Sequence, residues 1–124
     1  MTTAYWCVLV SVFLPFLFAA IAKFSGPGFD NASPRAFLAN LDGFRQRANW
    51  AQMNQFESNP PFAAGVIIAH VLGGPQATID LIAVSWIALR VLYGAAYMAN
   101  LASVRSLLWT ASLACVVSLF LIVI

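Results

Sequence analysis

Four long apolar segments, separated by short polar stretches, divide the chain. They run roughly over residues 4–24, 47–72, 79–100 and 104–124. Each has the roughly 20 residues that an α-helix needs to cross the hydrocarbon core of a bilayer. The pattern therefore predicts an all-α integral membrane protein, in which residues 1–124 form a single domain built as a four-transmembrane-helix bundle.

The polar stretches predict where the helices begin and end. SPRAFLANLDG, between the first two long segments, is typical of a short helix in which Pro34 takes the first position and Gly43 ends the helix. Asp80, or alternatively Thr78, is expected to cap the third long helix, and Ser103 the fourth. These residues mark the predicted boundaries.

The second long segment carries polar side chains where lipid would otherwise surround them. Arg47, Trp50, Asn54 and Glu57 are spaced so that, at about 100° per residue, they fall on one stripe of a helix. The Pro60–Pro61 pair just beyond them removes two backbone donors, so a bend is expected there. A charge at the bilayer centre costs about 2.5–3.5 kcal/mol, so the stripe must face protein or a water-filled cavity. We therefore expect a polar site inside the membrane.

Composition supports a membrane protein and excludes other classes. Hydrophobic residues make up 62% of the 124 residues and charged residues 8%, whereas soluble domains carry about 25% charged residues. A net charge of +2 is too small to indicate a nucleic-acid partner. Cys7 and Cys115 lie inside apolar segments, where we expect packing rather than a disulfide or a reactive thiol. No metal site is predicted, and membrane lipids are the expected surroundings.

The positive charges predict the orientation of the helices. Lys23, Arg35, Arg45 and Arg47 border the first loop and Arg105 borders the third, whereas the termini and the second loop carry none. Cytoplasmic loops of membrane proteins are enriched in Lys and Arg. Loops one and three of this multi-pass chain are therefore expected in the cytoplasm, with both termini outside.

This orientation brings further polar residues to the depth of Glu57. Glu57 and Arg90 each lie about ten residues, or roughly 15 Å, from the cytoplasmic ends of their helices. Tyr93 and Tyr97 follow Arg90 on one face, and Arg105 begins the last helix. A buried pair of Glu57 and Arg90 that only fixes helix packing is the alternative. It does not account for the other polar residues, so we favour one polar cavity that opens inward.

These residues resemble the motifs of the MAPEG family, the membrane-associated proteins in eicosanoid and glutathione metabolism. The resemblance covers the second to fourth long helices and rests on Arg47…Asn54-x-x-Glu57-x-x-x-Pro61-Phe62, Arg90-x-x-Tyr93-x-x-x-Tyr97 and Arg105-Ser106. The first loop is similar to that of short bacterial members. Family membership implies a four-helix bundle assembled as a homotrimer, with both termini outside and glutathione bound between subunits near the cytoplasmic face. A bacterial inner membrane is then the expected location.

The resemblance also implies a role for each matching residue. Asn54 and Glu57 would hold the backbone and amino group of glutathione, and Tyr97 would contact the tripeptide. Arg105 would face the thiol as the catalytic residue, because an adjacent cation lowers the pKa of a thiol from about 8.5 and so stabilises the thiolate. The other expected glutathione-binding residues are Arg47, Arg90, Tyr93 and Ser106.

Three positions depart from the family pattern. Met53 stands where the catalytic members carry an additional arginine, and Trp50 and Trp109 stand where some enzymes have arginine and tyrosine. Two functions stay open. We favour a glutathione-dependent transferase or peroxidase acting on lipophilic electrophiles; the alternative is a non-catalytic membrane lipid-binding or scaffold member of the same fold. A proton-coupled exporter is not favoured, because such carriers need an acid in the first helix and segment 4–24 has none.

Overall fold

The computed structural model of the protein describes residues 1–124 and contains five α-helices. They are α1 (Thr3–Phe24), α2 (Pro34–Ala39), α3 (Gly43–Val71), α4 (Gln76–Met98) and α5 (Ala102–Leu121). By length and composition, α1, α4 and α5 can each cross a membrane. The predicted all-helical membrane architecture is confirmed for these three helices. With 29 residues, α3 is the longest helix, but its polar stripe makes it less apolar than the others.

The four long helices pack against one another. α1 contacts α3 and α4, while α5 contacts α4 and α3. In the core, the rings of Phe62 of α3 and Trp86 of α4 stack with centroids 3.8 Å apart and planes 1° from parallel. A second close contact joins α1 to α4, because a Cβ atom at Gly94 would overlap the ring of Phe18. These contacts fix the faces that the helices present to each other.

Two helix starts differ from the prediction. Asp80 does not cap α4, which begins at Gln76; its carboxylate instead accepts a hydrogen bond from the backbone N–H of Ala4 at 2.9 Å. That bond satisfies a free donor at the start of α1 and ties it to the start of α4. Ser103 lies inside α5, which begins at Ala102. The predicted caps, including the alternative Thr78, were wrong because both helices begin earlier, after Pro75 and Leu101, and no side chain caps either start.

The start of α3 also differs from the prediction. Gly43 does not end the short helix; it begins α3, with a φ of 55° that glycine adopts without steric cost. α3 then continues through the Pro60–Pro61 pair without a break. One continuous helix therefore carries both the polar stripe and the core residues.

Arg45 closes the other end of α1. Its guanidinium donates to the backbone carbonyls of Ala22 at 2.9 Å, Lys23 at 2.8 Å and Pro27 at 2.9 Å. The last carbonyls of a helix have no intrahelical partner and carry partial negative charge, so a cation there is stabilising. Arg45 thus holds the end of α1 against the start of α3.

Candidate functional site

Arg90 lies at the centre of a polar cluster between α3 and α4. Its side chain is fully buried. Nε donates to Oε1 of Gln55 at 2.8 Å, and Nη2 donates to Oδ1 of Asn54 at 2.6 Å. Nη1 has no hydrogen-bond partner. Two neutral amides of α3 therefore occupy the guanidinium edge that commonly meets a carboxylate.

Glu57 joins this cluster through Asn54. The Asn54 amide donates from Nδ2 to Oε2 of Glu57 at 3.3 Å, while its Oδ1 accepts from Arg90. Glu57 lies in the middle of α3 with its side chain exposed. Because a carboxylate can accept several hydrogen bonds, Glu57 has capacity left for a donor from a ligand.

Arg105 and two tyrosines form the aromatic side of the cluster. The guanidinium of Arg105 lies over the ring of Tyr97, 4.6 Å from its centroid, and that of Arg90 lies over Tyr93 at 4.1 Å. The two tyrosine rings meet edge-on with centroids 5.8 Å apart. Cation–π contacts within about 6 Å are attractive. The rings therefore hold both arginines on the same side of α4.

Three grooves surround Asn54, which lines all of them. The α3–α5 groove has a volume of about 210 Å³ and includes Glu57, Ser58, Trp86, Trp109 and Ser112 in its lining. The Arg105 groove has a volume of about 430 Å³ and is lined by Asn54, Tyr93, Arg105, Ser106, Trp109 and Thr110. The Tyr97 groove has a volume of about 220 Å³ and is lined by Trp50, Met53, Asn54, Glu57, Tyr93 and Tyr97.

A fourth groove brings Arg47 to the same region. This Arg47 groove, of about 110 Å³, also contains Tyr97 and Arg105 in its lining. The Nε atom of Arg47 donates to the carbonyl of Met98 at 3.1 Å, which fixes the side chain against the end of α4. The expected single cavity is instead a set of adjoining grooves, divided by side chains such as Tyr97 and Trp109 that each line two of them.

Seven of the eight predicted site residues line these four grooves. They are Arg47, Asn54, Glu57, Tyr93, Tyr97, Arg105 and Ser106. Arg90 lines none of the four grooves; it lies behind Asn54 and Tyr93, and it contacts both of these groove-lining side chains. The predicted residues therefore lie in one region. Arg90 can influence a ligand in the grooves only through the side chains that it contacts.

This region also contains two amides that the sequence pattern did not indicate, the buried Gln55 and the partly buried Asn59. Gln55 binds Arg90, and Asn59 binds Gln55 through Oδ1 at 2.6 Å. Both lie off the predicted stripe, so its spacing does not find them. An amide inside a membrane-spanning helix is costly unless it has a polar partner, and on that ground the sequence could have indicated both residues. The structure contains no group of three or more His, Cys, Asp or Glu side chains suited to a metal ion.

The sequence as a whole matches one protein family. The family model described as the MAPEG family covers residues 3–124, essentially the whole chain. The chain belongs to the MAPEG family. The resemblance found in its motifs is thereby confirmed. No curated protein and no solved structure matches the chain significantly.

MAPEG proteins are membrane proteins that include glutathione-dependent enzymes and non-catalytic members. Family membership and the three spanning helices together make this chain an integral membrane protein. Lipid contact follows from the same helices.

Proposed function

We propose that this MAPEG protein is a glutathione-binding membrane enzyme, a transferase or peroxidase that acts on lipophilic electrophiles. One observation carries the proposal: Arg105 and Ser106, at the start of α5, line the same groove as Asn54 and Tyr93. A cation, a hydroxyl, an amide and a phenol thus converge on one space. Glutathione offers a thiol, two peptide groups and two carboxylates, which suit such a set of partners.

In the proposed complex, Glu57 accepts hydrogen bonds from the ammonium group of glutathione. Its only donor within the chain, Nδ2 of Asn54 at 3.3 Å, is longer than the usual 2.9–3.0 Å, which leaves room for a stronger donor. Asn54 offers its amide to the ligand backbone, and Tyr97 and Arg47 approach from the adjoining grooves. Arg90 supports these contacts from behind Asn54.

Arg105 is the proposed catalytic residue. It lies in the first turn of α5, where the helix dipole adds positive potential to its permanent charge. Both favour the thiolate of bound glutathione, whose thiol proton passes to water. In a transferase the sulfur attacks the electrophilic carbon, and the leaving group departs with the electron pair of the broken bond. In a peroxidase two glutathione molecules reduce a hydroperoxide to an alcohol and water and are oxidised to the disulfide.

The α3–α5 groove supports a lipophilic second substrate. It adjoins the Arg105 groove through Asn54 and Trp109, and Trp86 and Leu113 add apolar surface. Trp109 and Leu113 are 42% and 43% exposed, so a compound dissolved in the membrane can reach them from the side. An apolar electrophile in this groove would lie next to the space proposed for the thiolate.

We also propose that α3 is the fourth span and completes a four-transmembrane-helix bundle. Its 29 residues give a length of about 43 Å, more than enough for a bilayer core. The charges of loops one and three favour the cytoplasm for them and the outside of a bacterial inner membrane for both termini.

A homotrimer is the proposed assembly, with glutathione held between subunits. Glu57 is exposed in the single chain, and its neighbours Trp50, Met53 and Phe56 are 41%, 52% and 46% exposed. A carboxylate at the middle of a spanning helix is costly to leave against lipid. A neighbouring copy of the chain would cover it.

Turnover by the purified protein in detergent tests the activity. We expect glutathione-dependent conversion of chlorodinitrobenzene or cumene hydroperoxide, and a large loss of kcat in Arg105→Ala. Arg35→Ala is the matched control, because Arg35 is an exposed arginine of the first loop that lines none of the four grooves. No conversion of either compound, despite saturable glutathione binding, would contradict the enzymatic proposal.

A non-catalytic lipid-binding or scaffold function is the second candidate. Met53, 52% exposed in the Tyr97 groove, favours it, because the resemblance implies an arginine there in catalytic members. Saturable binding of a fluorescent fatty acid, unaffected by glutathione and without turnover, is the result expected for this function.

A further inference from the structure

A chain of hydrogen bonds, buried at Arg90 and partly buried beyond Gln55, runs from Arg90 to the backbone of α1. We infer that Gln55 and Asn59 are positioning residues of the ligand site, which orient Arg90 and, through Arg90, the amide that Asn54 presents to the grooves. The inference rests on the proposed function for the identity of the ligand. The positions of these side chains do not depend on it.

The direction of the first bonds is fixed by the chemistry of arginine. A guanidinium can only donate hydrogen bonds, so both amides that contact Arg90 must turn their oxygens toward it. Gln55 does so at 2.8 Å and Asn54 at 2.6 Å. The NH₂ group of Asn54 is therefore turned to Glu57. The grooves are thus lined by a hydrogen-bond donor, the Asn54 amide, next to an anionic acceptor, the Glu57 carboxylate.

The next bonds continue in the same direction. Because Gln55 gives its oxygen to Arg90, its Nε2 is left to donate, and it does so to Oδ1 of Asn59 at 2.6 Å. The Nδ2 of Asn59 then donates to the backbone carbonyl of Ser11 at 2.7 Å. A carbonyl can only accept, so the chain ends there. No amide in it can flip without breaking two bonds.

Pro15 explains why the carbonyl of Ser11 is available. Within an α-helix, that carbonyl would accept from the N–H of residue 15, which proline lacks. Ser11 and Pro15 are both buried in α1. The proline thus leaves the Ser11 carbonyl without a donor from its own helix, and the side chain of Asn59 in α3 donates to it instead.

The network therefore links three helices to one amide of the site. Asn59 joins α3 to α1, and Gln55 joins α3 to α4. If Asn59 is lost, Gln55 can turn its amide, and Arg90 loses one of the two acceptors that hold its plane. Asn54 then loses its fixed orientation, although Asn59 itself lines none of the four grooves.

Asn59→Leu tests the inference, with two readouts on the full-length protein in detergent. The first is the glutathione Kd. The second is the NMR signal of the Arg90 Nε–H, assigned by its loss in Arg90→Lys, together with its rate of exchange with water. Gln52→Leu is the matched control, since it removes a similar amide bond of α3, from Nε2 of Gln52 to Oδ1 of Asn49 at 2.9 Å, outside the network.

We expect Asn59→Leu to shift the Nε–H signal, to accelerate its exchange and to raise the Kd about tenfold, as for a buried polar group left without its partner. Gln52→Leu should change neither. Gln55→Glu, which keeps an oxygen for Arg90, should retain the slowly exchanging signal, whereas Gln55→Leu should lose it.

The inference is overturned if Asn59→Leu leaves the Nε–H signal and the Kd as they are in Gln52→Leu. If Asn59→Leu does not assemble, Asn59→Ala, which adds no volume, is judged by the same two results. If the wild type shows no saturable glutathione binding, the proposed function fails, and the Nε–H signal alone then decides the positioning role.

Discussion

The guanidinium of Arg90 is linked to the carboxylate of Glu57 through the side chain of Asn54, which accepts from Arg90 at 2.6 Å and donates to Glu57 at 3.3 Å. One amide therefore separates a fully buried cation from an exposed anion. This arrangement leaves the carboxylate open to a ligand while its partner charge stays inside the protein.

The first prediction is that Glu57 and Arg90 are energetically coupled. Arg90→Leu leaves the oxygens of Asn54 and Gln55 without their donor, and removal of one partner from a buried charged network costs about 3–5 kcal/mol. Glu57→Gln should cost less, because its side chain is exposed. A double-mutant cycle of unfolding in detergent should give a coupling of about 1 kcal/mol. Strictly additive losses would rule the coupling out.

A second prediction concerns the contact between α1 and α4. Gly94→Ala places a Cβ atom into the ring of Phe18 and should lower stability by about 1–3 kcal/mol. Gly65→Ala is the control, because its nearest new contacts, with Leu119 at 3.2 and 3.3 Å, need a shift of only a few tenths of an ångström. Alanine is also favoured over glycine in a helix by about 1 kcal/mol, so this variant should melt close to the wild type. Equal melting temperatures for the two variants would contradict the packing described.

The sequence was sufficient to predict the long helices and the proximity of most candidate site residues to one another. The length of the first apolar segment predicted α1 from residue 4, and the helix begins one residue earlier, at Thr3. Helical spacing put Asn54 and Glu57 on one stripe, and equal depth brought Arg90 to them. These features follow from local periodicity and from the length of chain between turns.

The remaining contacts could not be predicted, because they depend on which atoms meet across helices. Asp80 binds the N–H of Ala4, 76 residues away, instead of capping its own helix. Gln55 contacts Arg90 from beside the predicted stripe. An amide or a carboxylate in an apolar segment indicates that the side chain needs a partner, but spacing does not identify which atom on another helix that partner is.

Met53→Arg should strengthen glutathione binding. The new guanidinium would enter the Tyr97 groove beside Asn54 and Glu57 and offer a partner to a ligand carboxylate. A partly exposed ion pair contributes about 1 kcal/mol or less, so the Kd should fall by at most about fivefold. Met53→Gln, which adds polarity without charge, is the control. Calorimetric titration that finds equal Kd values for the two variants would exclude this groove from the carboxylate site.

The protein should not be a monomer. The exposed carboxylate of Glu57 in the middle of α3 needs a cover within the membrane, for which a homotrimer is proposed. Native mass spectrometry of the complex, released gently from detergent, should give three times the 13.4 kDa chain mass. A single-chain mass under the same conditions would contradict both the assembly and a site shared between subunits.

Arg105 is the proposed catalytic residue, because of its charge and its place at the start of α5. Its guanidinium lies at the start of α5 and lines the groove shared by Asn54, Tyr93 and Ser106. If the thiol of glutathione binds there, the positive potential should lower its pKa below the ordinary value of about 8.5. The thiolate is then present at lower pH than in free glutathione, and loss of the cation should reverse this.

The most direct measurement is the ultraviolet absorbance of the bound thiolate, titrated with pH in the wild type, in Arg105→Ala and in the control Arg35→Ala. We expect a lowered pKa of the glutathione thiol in the wild type and in Arg35→Ala. In Arg105→Ala we expect this pKa to return toward about 8.5, with the glutathione Kd largely retained, because Asn54, Glu57 and Tyr97 still hold the ligand. An unshifted thiol pKa in the wild type, despite saturable glutathione binding, would contradict the claim and leave the binding function in its place.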